Sequence, residues 1–155
     1  MLRGSTGARC YFLAVTLCLL SVSGFAGGKI NSSQFSGLAI HGYDPVAYFE
    51  QGKAIPGNRN ITYVWEGTTF AFASEPNRDL FSRSPVSYLP QYGGYCAYAA
   101  ANNAISDADP TAWQIVAGKL YLNYDNRVQR TWAGELEKNL RLADDNWPRL
   151  AQSLD

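Results

Sequence analysis

Histidine and cysteine are scarce in this chain of 155 residues, which has one histidine and three cysteines. Two of the cysteines, Cys10 and Cys18, fall in an N-terminal segment that we interpret below as a removable leader, so only Cys96 remains afterwards. A single cysteine cannot form a disulfide within the chain. Two soft or borderline ligands, Cys96 and His41, are too few for a closed structural zinc site. A Ser-His-Asp hydrolase would have to use His41, and no Gly-x-Ser-x-Gly motif is present. We therefore do not expect a classical hydrolase.

The chain also lacks a net charge and a long apolar run. Thirteen Lys and Arg residues balance thirteen Asp and Glu residues, whereas a nucleic-acid surface needs a clustered basic excess. We therefore expect no nucleic-acid partner. The apolar run at residues 11–22 is shorter than the roughly 20 residues that a membrane-spanning helix requires.

That run belongs to a secretory signal peptide that we predict over residues 1–26. Arg3 and Arg9 give a basic start, and small residues at 23–26 precede a cleavage point after Ala26. The mature protein is then expected to be periplasmic or secreted, with no stable membrane anchor after cleavage. Residues 27–36 are rich in glycine and serine and predict a flexible lead-in, and residues 37–150 predict one domain.

The domain has patterns of both strands and helices. β-rich runs at 61–65 and 69–73, and at 113–116 and 120–124, predict two antiparallel hairpins. Ser74 is suited to cap a helix that reaches Ser84, and a second short helix is expected after Gly94. From Asn126, apolar spacing predicts a long helix that is weakened at Gly134 and ends at 147–148. The fold class is α+β: a small antiparallel sheet built from hairpins, packed with short helices and a longer C-terminal helix.

Cys96 stands between a glycine pair and an alanine run, in the order Gly93, Gly94, Tyr95, Cys96, Ala97. Glycine permits close approach of another group, and alanine is the strongest helix former. We therefore expect Cys96 in a first helical turn, where the helix dipole favours a thiolate. The alternative interpretation is a small buried apolar side chain, since free cysteines are among the most buried residue types.

Three segments carry a resemblance to a known family: Gly-Tyr-Asp-Pro-Val-Ala-Tyr-Phe at 42–49, the run at 72–81, and Gly-Gly-Tyr-Cys-Ala-Tyr at 93–98. With the late hairpin at 118–124, they resemble the YHS-domain proteins, specifically the exported bacterial branch. The resemblance implies a small α+β domain and an association with metals. Metal-handling modules of this type carry thiols where this chain has Ala47, Ala73 and Asn77. Any metal would therefore be held by other residues, of which Cys96 and His41 are the obvious members.

The leading hypothesis from the sequence is an exported, non-catalytic YHS-type protein that binds a metal, with copper favoured because it accepts few or mixed ligands. The expected metal ligands are Cys96 and His41. The expected pocket is lined by residues near the two motifs: Tyr43, Asp44, Tyr48, Tyr92, Gly93, Gly94, Tyr95 and Tyr98. Each of these also has a structural interpretation, since a lone histidine, an Asp before Pro and half-buried tyrosines commonly serve the fold.

Two alternatives stay open at this stage. One is a thiol-dependent redox protein that uses Cys96 without a resolving cysteine. The other is a module that binds a small molecule or a partner without a metal, with Cys96 buried. The expected partner is thus a metal ion or a small molecule, and the sequence names no protein partner.

Overall fold

The structure is a computed structural model that describes residues 29–154. The predicted signal peptide, residues 1–26, lies outside the described residues. Among the helices of residues 29–154, none has the length and hydropathy needed to cross a bilayer.

The α+β class is confirmed. The first half of the domain begins with a 3₁₀ turn at Ile40–Gly42 and a short helix α1 at Ala47–Glu50. A hairpin of β1 (Asn58–Trp65) and β2 (Thr68–Phe72) follows, and then α2 (Glu75–Arg83) and α3 (Pro85–Tyr88). Ser74 caps α2 as expected, because its side chain accepts a hydrogen bond from the Asn77 amide.

The second half begins with a 3₁₀ turn at Gln91–Gly94 and the short helix α4 at Ala97–Ala101. The second hairpin consists of β3 (Asp109–Val116) and β4 (Lys119–Asn123), and the chain ends with α5 (Asn126–Gly134) and α6 (Leu136–Gln152). The long predicted helix is thus divided at Gly134, where the sequence indicated a weak point.

Each hairpin forms its own two-stranded antiparallel sheet, with Tyr63 opposite Phe70 in the first and Gln114 opposite Tyr121 in the second. Both connecting turns have positive φ at their two central residues, Glu66-Gly67 and Ala117-Gly118. This is the backbone geometry that suits the twist of a tight hairpin. The hairpins contact the rest of the chain through isolated bridges, such as Leu38 with Thr69 and Cys96 with Leu122.

The expected end of the last helix at Trp147-Pro148 was wrong, because α6 continues through Pro148 to Gln152. Proline inside a helix removes one hydrogen bond to the carbonyl four residues earlier, which here is that of Asp144. Asp144 and Pro148 are both exposed residues, so the interruption lies on the solvent side of α6. The exposed position lowers the cost of the interruption and lets the helix continue.

The hydrophobic core has two parts. The first lies around the β1–β2 hairpin and α2, and its largest buried members are Tyr48, Phe70, Phe72 and Phe81. The second lies where α4, β4, α5 and α6 meet, and includes Tyr92, Tyr121 and Trp132. Ile30 belongs to the first part and Asn31 is buried beside it. The described part of segment 27–36 therefore packs on the domain, which differs from the flexible lead-in expected from its composition.

Candidate functional site

Asn31 ties together three segments that are distant in the chain. Its amide N–H donates to the Gly93 carbonyl (2.8 Å), and its carbonyl accepts from the Ile40 amide (3.1 Å). Its side-chain Nδ2 donates to the Gly94 carbonyl (3.3 Å) and to Oδ1 of Asp107 (2.7 Å). Asn31 is only 6% exposed, so these bonds satisfy polar groups that are nearly cut off from water.

The backbone that presents His41 has an unusual conformation. Ile40, His41 and Gly42 have φ values of 52°, 52° and 84°. The left-handed region is costly for a residue with a branched Cβ such as Ile40, which is 1% exposed in the core. Its burial offsets the cost and fixes the direction in which the next residue, His41, leaves the chain.

His41 and Asp107 form a hydrogen-bonded pair on the surface of the domain. Nε2–H of His41 donates to Oδ1 of Asp107 over 2.8 Å. The same Oδ1 accepts from Asn31 Nδ2 and from the Ala108 amide (2.8 Å). All three of these hydrogen bonds go to Oδ1, and Oδ2 accepts none from the described residues 29–154. The carboxylate is therefore held firmly by one oxygen while the other is left for water or a ligand.

The surroundings of Asp107 keep it ionised. Partial burial by itself raises the pKa of this carboxyl, but the hydrogen bonds from Asn31, His41 and the Ala108 amide outweigh burial and lower the pKa below its usual value. The Asp107 side chain remains 57% exposed and that of His41 32% exposed. Both groups can thus meet a molecule that comes from solvent.

Two adjacent clefts share this pair. The first, which we call the His41 cleft, has a volume of about 500 Å³. It is lined by Asn31, Ser32, Ser33, Gln34, Phe35, His41, Tyr95 and Asp107. The second, the Tyr124 cleft, has about 320 Å³ and is lined by His41, Asp107, Ala108, Asp109, Pro110 and Tyr124. Small-molecule sites commonly have volumes of about 300–1,000 Å³, so both are of usable size.

Aromatic rings flank the His41 cleft. Phe35 is fully exposed at the tip of a turn, where Ser33 Oγ accepts hydrogen bonds from the Phe35 and Ser36 amides. Tyr95 lies on the other segment, with its ring 6.1 Å from that of Trp147. Partial burial, followed by the nearby Asp107, raises the pKa of Tyr95, so its hydroxyl stays protonated at neutral pH. The cleft offers an apolar ring, a phenol and a carboxylate.

Cys96 lies behind this cleft and not in its wall. It is 2% exposed and is the N-cap of α4, one residue earlier than the first-turn position expected. Its Sγ accepts from the Ala99 amide (3.4 Å) and its thiol donates to Asn123 Oδ1 (3.8 Å). The sulfur is thus engaged with the fold, as a buried apolar residue with a capping role.

Asp44 also has a structural role and not the pocket position expected. It is fully buried. Oδ1 accepts from the amides of Val46 (2.8 Å) and Ala47 (3.3 Å), while Oδ2 accepts from the Ala73 amide (2.8 Å) and Asn77 Nδ2 (2.6 Å). Ala47, Ala73 and Asn77 are the three positions that the resemblance described above aligns with the thiols of metal-handling modules. In this chain they surround a carboxylate whose oxygens are all used by hydrogen bonds.

Of the other pocket residues predicted from the sequence, Tyr95 lines the His41 cleft and several are buried. Tyr48 is 1% exposed and donates to the Pro110 carbonyl (2.9 Å), and Tyr92 is 5% exposed and donates to Asp144 Oδ1 (2.9 Å). Gly93 and Gly94 are buried in the turn that bonds to Asn31. Tyr43 and Tyr98 are half-buried in the first and second parts of the core.

The sequence reasoning missed Asn31, Phe35 and Asp107. Asn31 and Phe35 stand in a segment whose composition indicates flexibility, and no periodicity marks them. Asp107 begins the run Asp-Ala-Asp-Pro, which reads as a turn. A polar residue that acts through long-range hydrogen bonds leaves no local pattern, so only the folded chain brings these groups to His41.

Within residues 29–154, no group of three or more His, Cys, Asp or Glu side chains is arranged to hold a metal ion. The structure gives His41 and Cys96 separate hydrogen-bond partners, so the copper site proposed for them stays a prediction. Comparisons of the chain with protein-family models, with curated proteins and with solved structures return no match. A proposal of function therefore depends on the chemistry of the site.

Proposed function

We propose that this protein is a binding protein that takes a small molecule in the His41 cleft. The observation that carries the proposal is the Asp107 carboxylate, which lines a cleft of about 500 Å³ and is fixed by three hydrogen bonds that all go to Oδ1, so that they leave Oδ2 unused. Preorganised polar groups of this kind give orientation and specificity in ligand sites. Phe35 and Tyr95 supply the apolar contact area.

The fold of the site favours binding over covalent chemistry. Cys96, the strongest nucleophile in the mature chain, is 2% exposed and caps α4. Buried cysteines with such structural roles are generally inert. This agrees with the third hypothesis from the sequence, a binding module in which Cys96 is buried, and disfavours the thiol-redox alternative.

The second candidate is the metal-binding function with copper at Cys96 and His41. One contact favours it: the Cys96 amide donates to the Ser106 carbonyl (2.9 Å), and the next residue, Asp107, binds His41. This backbone hydrogen bond places the segment that carries Cys96 next to the segment that carries Asp107. A metal there requires Sγ to leave Asn123 and the Ala99 amide.

The proposed setting is the one inferred from the sequence. We retain an exported YHS-type domain as a proposal, supported by the way positions 47, 73 and 77 gather around Asp44. The export compartment follows from the predicted signal peptide alone.

The test uses the mature protein, purified without an affinity tag and first analysed for copper and zinc. The metal-free protein is then titrated with a library of small aromatic and polar fragments, and binding is followed by ¹H–¹⁵N NMR. We expect no stoichiometric metal, and shifts confined to the Asn31 side-chain amide, His41 and Tyr95. Tyr95→Ala should weaken these hits at least fivefold, whereas Val86→Ala, an exposed apolar side chain elsewhere, should leave them unchanged.

Two results would overturn the proposal. Fragment shifts that cluster away from the His41 cleft would remove the site. Near-stoichiometric copper that is lost in both Cys96→Ala and His41→Ala would establish the metal-binding function in its place.

A further inference from the structure

The charge around the His41 cleft is one-sided. In the described chain, the two lining sets contain the carboxylates of Asp107 and Asp109 but neither lysine nor arginine. The nearby Lys29 directs its Nζ to the Leu154 carbonyl (3.1 Å). Apart from His41, then, the ionisable groups that line the His41 cleft are Asp107 and Tyr95, and the adjacent Tyr124 cleft adds Asp109 and Tyr124.

The ionised Asp107 carboxylate also has one oxygen, Oδ2, that takes part in none of its three hydrogen bonds. Asp107 uses Oδ1 for its three hydrogen bonds, so Oδ2 can accept from an N–H donor without breaking any contact of the fold. A hydrogen bond between a charged donor and a carboxylate is about twice as strong as a neutral one. An anionic ligand would instead meet the field of Asp107 and Asp109 with no cation from Lys or Arg to oppose it.

The aromatic rings of the His41 cleft also favour a cationic ligand. The faces of Phe and Tyr rings carry negative potential and attract organic cations within about 6 Å. Phe35 has no packing partner that would be displaced, since its side chain is fully exposed. Tyr95 is held against Trp147 and can meet a ligand with little loss of side-chain freedom.

We infer that the ligand of the His41 cleft is a small organic ammonium compound. Its N⁺–H group donates to Asp107 Oδ2, and its carbon frame packs against Tyr95 and Phe35. This inference rests on the proposed function, because it assigns a ligand class to the same cleft.

The experiment compares three probes of equal size: benzylammonium, benzyl alcohol and benzoate. Each is titrated into the mature protein at neutral pH and followed by NMR and by tryptophan fluorescence, for which Trp147 beside Tyr95 is the reporter. Benzylammonium should bind at least tenfold more tightly than either of the other two. Raising the salt from about 20 to 500 mM should weaken it severalfold, because exposed charges are screened.

Matched variants locate the cation. Asp107→Asn should reduce the affinity for benzylammonium at least tenfold, and Phe35→Ala should reduce it about threefold. Asp109→Asn should change it less than threefold, because Asp109 lines only the Tyr124 cleft. NMR of each variant before titration shows whether it is folded, so that a loss of binding is not confused with unfolding.

Other outcomes separate this inference from the proposed function. If benzyl alcohol or benzoate binds in the His41 cleft as tightly as benzylammonium, the ammonium inference fails and the cleft still binds small molecules. If Asp109→Asn has the larger effect, the cation lies in the Tyr124 cleft and the inference also fails. If no probe or fragment shifts the residues of the His41 cleft, both are overturned.

Discussion

The Asp44 side chain lies in a position that water does not reach. Its four hydrogen bonds come from three backbone amides and Asn77 Nδ2. Asp44→Asn replaces one oxygen by an NH₂ group, which would face donors and leave at least one buried N–H without an acceptor. We expect a loss of about 3 kcal/mol in the free energy of unfolding, measured by urea titration.

Asn77→Ala is the matched comparison, because it removes one donor and leaves the carboxylate with three backbone partners. Its cost should be about half that of Asp44→Asn. Equal stability of Asp44→Asn and the unchanged protein would show that this carboxylate is not needed to join α1 to the start of α2.

At the scale of elements, the turn Gln91–Gly94 holds the N-terminal segment to the domain. Gly93 has φ +60°, and a Cβ added there would lie 2.6 Å from the Lys29 carbonyl oxygen. Gly93→Ala should therefore cost about 3 kcal/mol, which combines the left-handed backbone with a clash that displaces residues 29–31. Urea titration gives the cost, and hydrogen exchange of the Asn31 amide should speed up, because it donates to the Gly93 carbonyl.

Gly118→Ala separates the two causes. Gly118 has φ +74° with no atom within 4 Å of an added Cβ, so only the backbone cost of about 1 kcal/mol applies. Equal losses for the two variants would contradict the role assigned to the Lys29 contact.

The elements themselves were largely predictable from local pattern. Alternation and turn chemistry located both hairpins, Ser74 located the start of α2, and Gly134 located the division between α5 and α6. These features depend on residues close in sequence. The rule that a proline ends a helix failed at Pro148. The exposed surface of α6 lowers the cost of a proline inside the helix, and that exposure is known only from the packed structure.

The site was predictable only in part. His41 was singled out as the one histidine of the sequence and Tyr95 as a tyrosine beside the Cys96 motif, and both line the cleft. The residues that join His41 in the proposed site, Asn31 and Asp107, lie 10 and 66 residues from it along the chain. Cys96 drew attention because it is rare, yet its sulfur serves the N-terminus of α4. A rare residue type can be noticed in the sequence, but the long-range contacts that form a site cannot be predicted from sequence spacing.

At the scale of the whole molecule, both parts of the core contain buried tyrosines whose ionisation opposes folding, Tyr48 in the first part and Tyr92 in the second. Burial is the main cause that raises the pKa of Tyr48, followed by Tyr43, Asp109 and Asp44 nearby. Burial also raises the pKa of Tyr92, followed by its hydrogen bond to Asp144. In the unfolded chain both groups titrate near their ordinary value, about 10.

Because the folded pKa values are raised, the full stability is present below about pH 10 and falls as the pH rises above it, where the unfolded chain releases protons first. We expect each tyrosine to remove up to about 1 kcal/mol by pH 11. Tyr48→Phe or Tyr92→Phe should remove one tyrosine's contribution to this loss of unfolding free energy at high pH. At neutral pH each variant should be less stable by about 1 kcal/mol because of the lost hydrogen bond. Urea titrations from pH 8 to 11, followed by circular dichroism and by tyrosinate absorbance, test this.

If the two parts of the core unfold as one unit, both signals will share a single midpoint in every variant. Separate midpoints, with each variant reducing the pH dependence of only one of them, would instead show that the two parts unfold independently.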